Sequence, residues 1–267
     1  MIITDKLVIL NFPKTGSTFV RKVLRDIYSK RRKKLLFRIL RKLKIKKDVG
    51  FKEIMTNHPL IDGYQDQHGC YDQIPDEHKK KTIVSVVRDP YLRLESIYKF
   101  RWWVDHPPVE KKLIDKHFPN FPDLSINQYL DMSLLVNKKL KGKYNIDNTL
   151  KVGNQTIFFI RFYFKNHKKI LANIDENYIK QGLFKNDLCN VTFLRNENLN
   201  DELSIFLSNY SFSRDEIEFI KNHQKVNVTK SNVENKFLDQ EIIDHVNEYE
   251  WILFEILRHF NIDYIRK

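Results

Sequence analysis

The stretch "ILNFPKTGSTFVRKVL", residues 9–24, joins an apolar run to an amphipathic one through Pro13-Lys14-Thr15-Gly16-Ser17-Thr18. Lys6–Phe12 reads as a short buried parallel strand, whereas Phe19, Val20, Val23, Leu24 and Ile27 recur at helical spacing. The turn between them therefore opens a helix. The first N–H groups of a helix lack intrahelical partners and its dipole adds partial positive charge, so such a junction suits a phosphate. Gly16 permits a close backbone approach, Ser17 and Thr18 are expected to cap the helix, and Lys14 supplies a mobile cation. A capped helix with a merely solvated Lys14 would use the same residues. The Walker order G-x-x-x-x-G-K-[ST] is absent because Lys14 precedes Gly16, which argues against an ATP or GTP enzyme of the usual kind.

A second junction of the same type lies in "KKTIVSVVRDPYLRLESIYKF", residues 80–100. Thr82–Val87 is a β-branched run suited to a buried parallel strand, and Pro90 suits the first turn of a helix through Leu92, Leu94, Ile97 and Tyr98. Open α/β sheets bind ligands at the carboxyl ends of their strands, which is where Arg88 falls. Arg88 can hold a phosphate through two N–H groups, with Ser96 approaching from the helix; an ion pair at a strand end is the plainer alternative.

Charge narrows the partners. The chain of 267 residues carries a net +13, yet Lys30–Lys47 ("KRRKKLLFRILRKLKIKK") holds eleven basic residues and no acidic one. Nearly all the excess charge therefore sits in one segment, and a nucleic-acid-binding surface is not expected. Leu36, Ile39, Leu40 and Leu43 share a helical face there, which makes a basic amphipathic helix. Three uses are open to it: lying on an anionic membrane surface, contacting an acidic polysaccharide, or docking its apolar stripe on the core. Cys70 and Cys189 cannot form a disulfide framework and have no histidines at zinc-site spacing, so the default compartment is reducing. No signal peptide or membrane stem is read before the first strand, and a cytoplasmic, at most membrane-peripheral, protein is expected. Without a linker or repeat, residues 1–267 are expected to form one domain with a basic helical insertion at about 30–47.

Together the two junctions resemble the PAPS-dependent sulfotransferases, which carry a 5′-phosphosulfate loop after the first strand and a 3′-phosphate motif R-D-P-x-x-R-x-x-S-x-Y. The counterparts are Pro13–Thr18 and Arg88, Asp89, Pro90, Arg93, Ser96 and Tyr98, in the same order and spacing. Val191–Leu207 looks like the late strand-helix unit of carbohydrate-type members, and Lys225–Asn232 is similar to the segment that closes over the nucleotide. The resemblance implies an α/β, P-loop-like sulfotransferase fold with a central parallel sheet flanked by helices and a helical C-terminal half. It implies sulfuryl transfer from PAPS (3′-phosphoadenosine-5′-phosphosulfate) to a hydroxyl of a carbohydrate or small molecule. Lys14, Thr15, Gly16, Ser17, Thr18, Arg88 and Ser96 would bind the donor. Two anion sites flanking an adenosine are what such a donor needs. Lys14 would also meet the charge that grows on the leaving phosphate, where one donor is worth about a hundred- to a thousandfold in rate. No metal is expected, since the leaving group is already a phosphate in a cationic cradle.

The acceptor hydroxyl needs a base. In the heparan 2-O-sulfotransferase branch a histidine followed by a tyrosine three residues later precedes the R-D-P strand, and His68 with Tyr71 resembles that pair. His68 is the expected general base, with His58 as the alternative base or as an acceptor-site residue. Arg101 and Trp102, after the second helix, combine positive charge with an aromatic face suited to an acceptor sugar, although adjacent tryptophans also serve packing. The competing functions are a nucleotide- or polyanion-binding protein without transferase activity and, third, a nucleotide kinase. Turnover of PAPS separates them.

Overall fold

The computed structural model describes residues 1–33, 39, 42–43, 50–57, 63–210, 212–223 and 239–265. His58, Lys225–Asn232 and the other positions of the basic segment lie outside these. The chain divides into two compact units, Met1–Arg88 with Asn190–Lys230, and Asp89–Cys189 with Ser231–Lys267.

The first unit is α/β, with a central mixed sheet of five strands flanked by helices. The strands are β1 (Ile2–Thr4), β2 (Leu7–Leu10), β3 (Phe51–Glu53), β6 (Thr82–Val87) and β7 (Val191–Arg195), in the order β3-β1-β2-β6-β7. A separate two-stranded pair, β4 (Thr56–Asn57) and β5 (Gln65–Asp66), runs antiparallel. β2, β6 and β7 are parallel, as the buried apolar run of β2 and the β-branched run of β6 suggest. The expectation of a parallel sheet throughout is corrected at one side, where β1 is antiparallel to both β2 and β3. Asp5 and Lys6 break the opening apolar run, and the Leu7 N–H donates to Thr4 Oγ1 at 2.9 Å, so the chain reverses and pairs Ile2 with Ile9.

The helix α1 (Ser17–Lys33) buries Phe19, Val20, Val23, Leu24, Ile27 and Tyr28 on one face. That face shares a core with Ile9, Val84 and Val86 of the sheet and with Leu203, Leu207, Ile217 and Ile220 of the helices Leu199–Ser208 and Arg214–Lys221. Each such side chain contributes about 1.5–3 kcal/mol by leaving water. The basic segment begins inside α1, since Lys30–Lys33 form its last turn. Arg31 there is a structural residue. Its guanidinium makes two hydrogen bonds to the Glu216 carboxylate, at 2.6 and 2.9 Å, and lies 4.6 Å from the Phe212 ring centre.

The second unit is mainly helical. Its helix α2 (Pro90–Phe100) starts with Pro90 at the first position, as the sequence predicts, and the structure adds Asp89 as its cap, accepting from the Tyr91 N–H at 2.8 Å. Tyr91, Leu94, Leu130, Ile242, Val246 and Phe254 form one core cluster, and Trp103, Phe118, Leu124 and Met132 another. The apolar positions Ile242, Val246, Leu253, Ile256 and Leu257 share a helical spacing that would suit one helix, and they fall in two: Gln240–Tyr249 and Trp251–Arg258. The break falls at Glu250, whose buried carboxylate accepts from the N–H groups of Gln155 (3.0 Å) and Thr156 (2.8 Å) and from the Thr156 hydroxyl (2.7 Å). It thereby caps the helix Asn154–Tyr163. Among the described residues, no helix is long and apolar enough to cross a membrane.

Candidate functional site

The strand–turn–helix of residues 7–33 is present, and its turn is held from several sides. Thr15, wholly buried, donates its hydroxyl to the Phe12 carbonyl at 2.8 Å. The Asn196 amide, just after β7, donates to the Thr15 carbonyl at 2.9 Å. Lys14 has φ +64°, a left-handed conformation that side-chain-bearing residues seldom adopt, and Gly16 has φ +100°. A Cβ at Gly16 would lie 2.4 Å from Asn196 Nδ2. An over-determined turn with an uncommon backbone at a lysine is the pattern found where a chain grips a ligand.

Ser17 and Thr18 do not cap α1. They are its first two helical residues, and Gly16 stands just before them. Their N–H groups have no intrahelical carbonyl, and their hydroxyls make no hydrogen bond among the described residues. With no acidic residue in that first turn and Lys14 half-buried beside it, the local field favours an anion.

His68 is joined to the same strand end. The β4–β5 pair carries the chain to Asp66, whose Oδ1 accepts from the His68 main-chain N–H at 2.7 Å. His68 Nδ1 lies 2.6 Å from the main-chain oxygen of Asn11, the residue that follows β2. A carbonyl only accepts, so Nδ1 is the protonated nitrogen and Nε2 carries the lone pair whenever the ring is neutral. Burial pushes the His68 pKa below its ordinary value, against the opposing pull of the Asn11 carbonyl and Asp66, and so favours that neutral ring. The Asn11 side chain, 1% exposed, also donates from Nδ2 to the Gln67 carbonyl at 3.3 Å. Its Oδ1 is buried with no hydrogen-bond partner among the described residues. A neutral imidazole oriented through Nδ1 can accept a proton at Nε2.

Arg88 follows β6, half-buried, at the same edge of the sheet: the register pairs Leu10 with Ser85, so the segments leaving β2 and β6 run side by side. The Ser85 hydroxyl donates to the Leu10 carbonyl at 2.6 Å and fixes that alignment. The first unit thus brings together Lys14, Thr15, Gly16, Ser17, Thr18, His68 and Arg88.

Ser96, Arg101 and Trp102 belong to the second unit. Ser96 is half-buried on α2. Arg101 ends α2 in a left-handed conformation, pairs with Asp123, and borders an open cavity of about 220 Å³. Trp103 also lines this cavity, whereas Trp102 lies against His106, with ring centres 5.3 Å apart. Tyr98 is a packing residue, donating to the Leu124 carbonyl at 2.9 Å and stacking on Trp103. Arg93 is buried and donates to Gln155 Oε1 at 3.0 Å.

Asn11, Asp66 and Asn196 were not singled out by the sequence. A polar residue closing the apolar run "LVILNF" is the one local sign of Asn11; Asp66 and Asn196 act through partners distant in the chain or through main-chain contacts that no residue spacing encodes. Compared with known proteins, the chain matches no family model, no curated protein and no solved structure.

Proposed function

We propose that the protein is a sulfuryl transferase of P-loop-like sulfotransferase fold, moving the group from PAPS to a hydroxyl of a carbohydrate or small-molecule acceptor. The observation that carries the reading is the 2.6 Å hydrogen bond between His68 Nδ1 and the Asn11 carbonyl, which ties a base with a free Nε2 to the strand end that feeds the anion-suited turn. The polar groups of that turn fit a phosphosulfate by their chemistry: the Lys14 ammonium, the Ser17 and Thr18 N–H groups, and their hydroxyls. PAPS supplies the sulfuryl group and a leaving phosphate. In this reading His68 Nε2 takes the acceptor's proton as its oxygen bonds to sulfur. Lys14 and the N–H groups meet the charge gathering on the departing phosphate oxygen, and Arg88 holds the 3′-phosphate.

The test is incubation with labelled PAPS and a panel of hydroxyl acceptors, read as a mass gain of one sulfuryl group. Binding of adenosine 3′,5′-bisphosphate should be far tighter than that of 5′-AMP, and Arg88→Ala should erase about 1.5–3 kcal/mol of that preference. Lys14→Ala should lower turnover more than bisphosphate affinity, because the charge it meets grows during transfer. His68→Ala should bind the bisphosphate normally and lose about a hundred- to ten-thousandfold in turnover. Equal affinity for the two nucleotides would defeat the donor assignment. Bisphosphate binding without transfer to any acceptor would favour the non-catalytic alternative.

A further inference from the structure

We propose that the surface carrying Arg32, Lys33, Ile39, Lys42 and Leu43 binds the anionic face of a membrane, the cations meeting lipid headgroups and the two aliphatic side chains entering the boundary beneath them.

Two kinds of observation meet here. The first is charge without a counter-charge. Lys30–Lys47 contains eleven basic residues and no acidic one. Lys30 and Arg31 are used within the protein, over the Phe219 ring and on Glu216 respectively. Of the cations that follow, Arg32, Lys33 and Lys42 are described; they are exposed and form no ion pair among the described residues.

The second is apolar surface placed among those cations. Ile39 and Leu43 lie one helical turn apart, with the Leu43 N–H donating to the Ile39 carbonyl at 3.0 Å, and they are 47% and 61% exposed. Docking on the core would turn these two side chains inward, and both are exposed. An acidic polysaccharide or nucleic acid would be held by the cations alone and gives aliphatic side chains nothing to enter. A bilayer interface takes both: its anionic lipids attract Lys and Arg, and its headgroup–acyl boundary receives Ile and Leu. Long cationic side chains reach outward to the headgroups while the aliphatic ones go deeper. Because nearly all the net charge lies in this segment, the field would present this surface to the membrane first. The proposal does not depend on the sulfuryl-transfer reading.

The experiment is co-sedimentation of the full chain with phosphatidylcholine vesicles, with and without about a third phosphatidylserine, beside a soluble acidic polysaccharide as a second probe. Binding to the anionic vesicles and not to the neutral ones is expected. R32Q/K33Q/K42Q should weaken it by about fivefold per cation removed. I39S/L43S, which keeps every charge, should weaken vesicle binding at least about tenfold and leave polysaccharide affinity unchanged. All five side chains are exposed, so unfolding midpoints should match the wild type and keep the comparison one of surfaces. Wild-type protein that fails to bind anionic vesicles would overturn the proposal. So would I39S/L43S that binds them as the wild type does, since the segment would then be a simple polycation.

Discussion

His68 joins three roles in one ring: a proton fixed on Nδ1 by the Asn11 carbonyl, a main chain held by Asp66, and a pKa depressed by burial. The depression has a sign that can be followed. A folded-state value below the unfolded one, about 6.5, means that the unfolded chain binds the proton more readily. The ring therefore contributes stability that is fully present above about pH 6.5 and is lost as the pH falls through its lower folded value. In the proposed reaction the same titration switches off the base. Turnover should be level above about pH 6.5 and decline below it, with the midpoint displaced to the acid side of an ordinary histidine. Denaturant midpoints measured across that range should lose part of their acid sensitivity in His68→Gln. An acid limb of turnover centred above the ordinary histidine value would mean that burial does not govern the base. The tie to Asn11 spans residues 11 and 68, and nothing in either local sequence announces it.

The strand–turn–helix at residues 7–33 was legible in the sequence because its signals are local: an apolar run, a glycine turn and apolar positions at helical spacing. So was the Pro90 start of α2. What the sequence hid depends on distant partners. β1 is only three residues long and is parted from β2 by Asp5 and Lys6 alone, so its reversal shows only in the pairing. Glu250 sits among residues of helical spacing, yet marks the boundary of two helices, and its carboxylate caps a third, Asn154–Tyr163, far away in the chain. Gly16 joins both cases, since a glycine turn is readable and its reason is not. Gly16→Ala would force a Cβ at φ +100° into the Asn196 amide that braces Thr15. The expected cost is about 1–3 kcal/mol in unfolding free energy. Weaker binding of adenosine 3′,5′-bisphosphate should accompany it, read by denaturant titration and calorimetry on one sample. An alanine variant as stable as the wild type would show that the Asn196 brace yields easily.

At the scale of the whole chain, the first unit is assembled from two pieces separated by the whole of Asp89–Cys189. Its sheet is completed only when residues 83–87 pair with 191–195, and its main core only when Leu203, Phe206, Leu207, Ile217 and Ile220 cover α1. A chain ending at Cys189 should therefore leave β6 with an open edge and the apolar face of α1 uncovered. It should elute as aggregate on size exclusion and bind an apolar dye, whereas the full chain should do neither. A monomeric, dye-negative product would show that the N-terminal piece is self-sufficient. The order of synthesis turns this arrangement into a matter of timing. The first strands emerge from the ribosome early but must wait for the last one, and closing so long a loop is entropically slow unless the intervening residues collapse first. Helices, whose contacts are local, are the elements suited to collapse early. The mainly helical composition of the intervening Asp89–Cys189 would thus shorten the interval in which a newly made chain exposes its sticky edge, and mutations that slow the collapse of that segment should lower yield in cells even where they leave the finished protein's stability untouched.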